Sequence, residues 1–210
     1  MNKQTAQKII ERLSTKYSDK PSLNYNTVYE LLIAVLLSAQ CTDKRVNEVT
    51  EKLFKVANTP EKMLTLTKEQ LEKYIFTCGL YRAKAEHILS LSKDLIERFN
   101  GEVPDNLHDL QSLSGVGRKT ANVVYAVGFN GQAIAVDTHV FRVSEKLGFT
   151  KNSKTPLQTE TALMKLLPKE SWRKAHHYLI YLGRDTCKAS KQDCERCVIC
   201  DLCEKRNLRR

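Results

Sequence analysis

The sequence predicts an all-α protein, and three observations carry that prediction. Apolar residues recur at helical spacing in almost every segment. Helix-start signals repeat along the chain: capping boxes at Thr27-Val-Tyr-Glu30 and Thr67-Lys-Glu-Gln70, and threonine–proline pairs at Thr59-Pro60 and Thr155-Pro156. Sustained strand alternation is absent. At 210 residues the chain can bury a real core, as one large domain or two small ones.

Taken in order, Ile9, Ile10 and Leu13 give a first amphipathic helix, and Pro21 to Asn26 is a polar connector and a domain boundary. Thr27 opens a buried helix expected to run through Ala39, and the Thr59 and Thr67 signals start the next two. Tyr81 to Phe99 carries Ile88, Leu89, Leu91, Leu95 and Ile96 at helical spacing; Gly101 to Pro104 breaks it. Asn106 to Leu113 leads into a glycine-flanked turn and a helix-like apolar segment. Thr155-Pro156 and Ser171-Trp172 start two more helices before a C-terminal cysteine cluster.

A net charge of +10 predicts an anionic partner, with nucleic acid or an anionic membrane surface as the two classes. Met1-Asn2-Lys3-Gln4 has no apolar signal core, and Leu31 to Leu37 is far too short to span a bilayer. A soluble, cytoplasmic protein is expected. Of seven cysteines, Cys41 and Cys78 stand alone, whereas Cys187, Cys194, Cys197, Cys200 and Cys203 crowd together. In a cytosolic chain such crowding reads as metal ligation rather than a disulfide framework. Four thiolates suit either tetrahedral zinc or a [4Fe–4S] cluster, and spacing alone does not choose.

The stretch from Leu113 to Asp137 organises the rest. Gly115 and Gly117 flank Val116 just before a helix, so backbone N–H groups and the positive helix end together make a phosphate seat. Lys119 falls in the first turn, where the dipole and Arg118 disfavour a charged ammonium and lower its pKa. About eleven helical residues climb roughly 16 Å. A turn at Asn130-Gly131 and about five extended residues then descend roughly 17 Å, returning Asp137 to the same helix end. Amine and carboxylate beside a phosphate seat form a catalytic pair; Asp137 before Thr138-His139-Val140 is equally a good helix N-cap.

Leu113-Ser-Gly-Val-Gly-Arg-Lys-Thr-Ala-Asn-Val-Val, followed by Val136-Asp137-Thr138-His139, resembles the helix-hairpin-helix and Gly/Pro…Asp signature of DNA base-excision glycosylases, most closely the endonuclease III family. The resemblance covers essentially the full length. It implies a six-helix domain over about 23–130, and a second domain of 1–22 with 131–210 that carries a [4Fe–4S] cluster. The implied partner is double-stranded DNA with damaged bases or abasic sites, held in a cleft between the domains; a monomer is expected.

The same resemblance assigns roles. Such an enzyme flips its target nucleotide out of the stack. Gln40 and Leu80 would enter the vacated space, one offering an amide and the other an apolar wedge; by composition alone they read as a polar helix end and a core leucine. Lys119 would attack C1′ of the damaged nucleotide, expel the base and form a Schiff base, after which β-elimination cuts the strand. Asp137 would stabilise positive charge at the sugar and manage the lysine's proton. Mismatch adenine glycosylases of this superfamily lack the lysine and usually carry an extra C-terminal domain, and neither feature fits this chain.

Cys187-x6-Cys194-x2-Cys197-x5-Cys203 matches the family's cluster loop and tips the metal to [4Fe–4S]; Cys200 departs from that pattern and is left as a spare thiol. Lys188 and Lys191, with Arg196 following, read as phosphate contacts or as ordinary solvated charge. His139 is placed to meet a phosphate or order the pocket. His176 and His177 read as structural, because adjacent helix positions face different directions.

Overall fold

The computed structural model of this chain describes residues 1–204. Among these residues there are eleven α-helices and no strand, only an isolated bridge between Cys187 and Gln192. The chain divides into two compact units, Pro21–Gly131 and Met1–Lys20 with Gln132 onward.

The Pro21–Gly131 unit has six helices and one single turn, arranged around a buried rod. They are α2 (Val28–Leu37), α3 (Asp43–Leu53), the turn α4 (Pro60–Met63), α5 (Lys68–Ile75), α6 (Tyr81–Phe99), α7 (Leu107–Ser112) and α8 (Arg118–Gly128). The rod is α2, buried at every residue from Tyr29 to Leu37 because its sequence is apolar all round. Both ends of α2 differ from the sequence reading. Thr27 Oγ1 accepts from the Glu30 amide, but the Glu30 carboxylate accepts from Asn26 rather than closing the box on Thr27. The helix also stops at Leu37, two residues before Ala39, because the chain turns left-handed at Gln40. Thr67 and Gln70 do close their capping box, and Pro60 opens α4 as its first residue. On α6, Lys84, Ile88, Leu91 and Leu95 are buried along one stripe, while Ile96 lies at the surface.

The second unit joins α1 (Lys3–Ser14) to α9 (Thr138–Leu147), α10 (Pro156–Leu166) and α11 (Trp172–Asp185). Ala6, Ile9, Ile10 and Leu13 of α1 share one apolar cluster with Val140, Val143, Leu163, Leu179 and Leu182. Burying each such leucine or isoleucine contributes about 1.5–3 kcal/mol before chain entropy is counted. Thr155 caps α10, but Ser171 caps nothing; the short 3-10 turn Lys169–Ser171 feeds α11 instead. Residues 133–137 are irregular rather than a strand, with Ala133 to Val136 buried in this unit.

Candidate functional site

The hairpin is built from α7, the turn Leu113–Gly117 and α8. Asn106 caps α7, accepting from the Asp109 amide at 2.9 Å. Gly115 sits at φ +75, and a Cβ there would fall 2.8 Å from Cβ and Cγ of His87, so turn geometry and packing both require glycine. His87 also holds the turn through Ser114 Oγ, 3.0 Å from its Nδ1. Val116 faces inward: its side chain is buried and its amide donates to Leu113 O at 3.1 Å. Gly117 differs from Gly115. Its backbone is ordinary, it is exposed, and a Cβ there would meet nothing within 4 Å. No side chain caps α8, so the helix opens directly on this bare turn, with Lys119 half-buried in its first turn.

Gln40 and Leu80 lie on adjoining loops of the same unit. Both residues are exposed and left-handed, Gln40 at φ 54 and Leu80 at φ 59, and Leu80 is 63% exposed. The core reading of Leu80 therefore fails, because an interior leucine would not be turned outward at a strained backbone position. The loops touch: a Cβ on Gly79 would sit 3.1 Å from Gln40 O. Beneath them the Lys84 ammonium, 5% exposed, donates to Leu37 O at 2.8 Å and Ala39 O at 2.6 Å. Burial lowers the Lys84 pKa, while the thiols of Cys78 and Cys41 pull it back up. Burial, then contact with Cys41, pushes the Cys78 thiol up to about 12.

In the second unit, Asp137 caps α9, its Oδ1 accepting from the Val140 amide at 2.8 Å. Helix capping thus uses one carboxylate oxygen. The irregular segment ahead of it is fixed by His176, whose Nδ1 lies 2.8 Å from Ala135 O. His139, in the first turn of α9, packs against Gly183, and its Nδ1 is enclosed without a hydrogen-bond partner among the described residues. His177 is buried beside His176, and desolvation followed by the Arg173 charge lowers its pKa to about 4.

The cysteine segment follows α11. Cys187, Cys197 and Cys203 pack against the apolar cluster of this unit, whereas Cys194 is exposed. The Cys187 thiol is raised by burial, lowered by Lys146 and Arg142, and raised again by Cys203 and Cys194. Burial takes Cys197 up to about 11, with Cys200, Cys203 and Cys187 adding to the rise. No three His, Cys, Asp or Glu side chains among the described residues form a ready-made metal-holding group. Lys188, Lys191 and Arg196 are exposed, and Arg196 pairs with Asp193 at 3.7 Å.

Residues 33–169 match the family described as HhH-GPD superfamily base excision DNA repair protein. Endonuclease III of Haemophilus influenzae is 50% identical over 205 residues, 97% of each chain, and that of Escherichia coli is 48% identical over the same share. This chain belongs to the endonuclease III family. A solved endonuclease III structure, that of a trapped covalent intermediate with DNA, superposes with a TM-score of 0.94 at 44% identity, covering 100% of this chain and 99% of the other.

For an endonuclease III family member, the structure adds two residues that sequence reading passed over, Lys84 and His87. Both lie on α6, one turn and two turns after Leu80, and they hold the Gln40 loop and the hairpin turn respectively. A signal for Lys84 was present: it occupies an apolar-stripe position, four residues before Ile88. Nothing in the sequence marks His87.

Proposed function

We propose that this chain excises oxidised pyrimidines from duplex DNA and then cuts the strand, with Lys119 as nucleophile and Asp137 as its partner carboxylate. The observation that carries this reading is the bare Gly115–Val116–Gly117 turn opening α8 with an amine in the first turn. The turn grips backbone phosphate through N–H groups. Gln40 and Leu80 fill the space of the extruded nucleotide.

The Lys119 amine, once neutral, attacks C1′; the C1′–N glycosidic bond breaks and its electron pair leaves with the base, which takes up a proton. Asp137 stabilises positive charge building on the sugar and accepts the proton that the lysine nitrogen sheds. The C1′–O4′ bond then breaks, O4′ taking up the proton held by Asp137, and the resulting ring-opened iminium acidifies the C2′ proton. Its loss expels the 3′ phosphate by β-elimination, and water then frees the lysine. A related endonuclease III has been captured as a covalent intermediate with DNA, which supports an amine nucleophile here.

Cys187, Cys194, Cys197 and Cys203 fit a [4Fe–4S] cluster by donor chemistry, as four thiols within one short segment, three of them packed against the same apolar cluster. When bound, the cluster supplies a covalent staple for the loop carrying Lys188 and Lys191. Iron and sulfide of about four each per chain, retained in Cys200→Ser and lost in Cys197→Ser, would support this ligand set. A monomer working in the cytoplasm on nucleoid DNA completes the reading.

The decisive assay is borohydride trapping on a duplex bearing an oxidised pyrimidine. The unaltered chain gives a covalent protein–DNA adduct and a cut strand. Lys119→Gln gives neither while still binding the duplex. An adduct retained in Lys119→Gln would remove Lys119 from the reaction.

A further inference from the structure

We propose that Lys84 is a positioning residue for base extrusion: its buried ammonium sets the register of the two loops that present Gln40 and Leu80. The inference rests on the reading that these two side chains enter the duplex.

The geometry is that of a clamp. Leu37 ends α2, and its carbonyl is one of those a helix leaves without an intrahelical partner. Lys84 Nζ donates to it at 2.8 Å and to Ala39 O, the residue before Gln40, at 2.6 Å. The backbone of Lys84 belongs to the other loop's helix, since its amide donates to Leu80 O at 3.1 Å. One residue thus spans from the carbonyl before Gln40 to the carbonyl of Leu80. Between these anchors Gly79 lies directly against Gln40, so a shift of either loop is felt by the other.

Sequestering an ammonium from water is unfavourable, and an apolar side chain in the stripe with Ile88, Leu91 and Leu95 would pack without that penalty. The two carbonyls and the helix-end dipole hold the charge in place. The titratable groups facing it are the Cys41 and Cys78 thiols, with Arg45 acting on Cys78. They supply no formal negative charge while protonated. The lysine therefore works through the backbone it ties down, and both of the residues it brackets sit at positive φ, where a loop left to itself would relax.

Single-turnover base release and duplex affinity against salt, measured for Lys84→Met, Leu80→Ala and the double variant, test the proposal. Lys84→Met should slow base release about tenfold or more, since remote misplacement by about 1 Å can cost 10²-fold, with the salt slope of binding unchanged. The double variant should be no more than about threefold slower than the slower single variant, because both changes disable one device. Gly79→Ala is the second arm should Lys84→Met not fold. Its Cβ would meet Gln40 O at 3.1 Å and push the loops apart with the clamp intact, and it should slow base release in the same way.

Losses that multiply in the double variant, or wild-type base release in either Lys84→Met or Gly79→Ala, would overturn the inference. If Leu80→Ala and Gln40→Ala themselves leave base release untouched, the wedge reading fails, and that failure is separate from any result at Lys84.

Discussion

Among the left-handed positions of the Pro21–Gly131 unit, the hairpin turn and the Gln40 and Leu80 loops differ in what the conformation does. At the hairpin the residue is Gly115, φ +75, where a side chain would strike His87. There the turn's geometry and its packing leave the backbone without a side chain. At the two adjoining loops the residues are Gln40 and Leu80, which have a Cβ and carry strain of order 1 kcal/mol each. There the backbone is strained so that a side chain can project. On the proposed reading, grip through the main chain and insertion through side chains would fail separately, so variants can tell them apart.

The largest expected effect removes chemistry while leaving both devices whole. Asp137→Asn keeps an N-cap for α9, since asparagine caps as well as aspartate, so folding and duplex affinity should hold. Base release should slow by about 10²-fold or more if the carboxylate stabilises sugar cation. Single-turnover kinetics at a near-wild-type rate would leave Asp137 as a cap only.

Next comes an acid control from the other unit. His177 is held neutral, its pKa near 4 instead of 6.5, so the unfolded chain binds its proton more readily. Stability from this group is present above pH 6.5 and lost as pH falls toward 4, by up to about 3 kcal/mol. Urea titrations at pH 7 and pH 5 should show a smaller acid loss in His177→Leu. An equal loss would mean that the imidazole is already protonated in the folded state.

Leu80→Gly sharpens the comparison directly. It relieves the positive φ and removes a side chain that is 63% exposed, so stability should stay within about 0.5–1 kcal/mol of wild type. Base release should nonetheless slow about tenfold, as wedge loss weakens extrusion. Thermal unfolding beside single-turnover release checks both halves. The smallest effect is expected for Lys191→Ala, which should flatten the salt dependence of duplex binding by roughly one phosphate contact. An unchanged slope would make the exposed lysines of that loop solvated charge.

Much of the helical plan was legible because caps and periodicity are local. Thr67 with Gln70, Pro60, and the full span of Tyr81–Phe99 stand where their chemistry puts them. The end of α2 was not, because Gln40 turns left-handed under a tertiary constraint, the Lys84 clamp and the neighbouring Gly79. The bare turn before α8 was legible from two glycines, but their difference was not: only packing against His87 separates an obligatory Gly115 from an open Gly117. Leu80 shows the same limit. Composition makes it core, and a strained φ puts it outside.

That difference between the glycines gives the most direct test of the central claim, that the hairpin grips DNA with its backbone. Gly115→Ala is a poor probe, since its Cβ would disturb the fold itself. Gly117→Ala adds a Cβ to open space at an ordinary φ, so the protein should unfold at the same urea concentration as wild type. Its affinity should nevertheless fall about tenfold on damaged and undamaged duplexes alike, because the methyl stands where phosphate must approach. Wild-type affinity in a folded Gly117→Ala would contradict the claim.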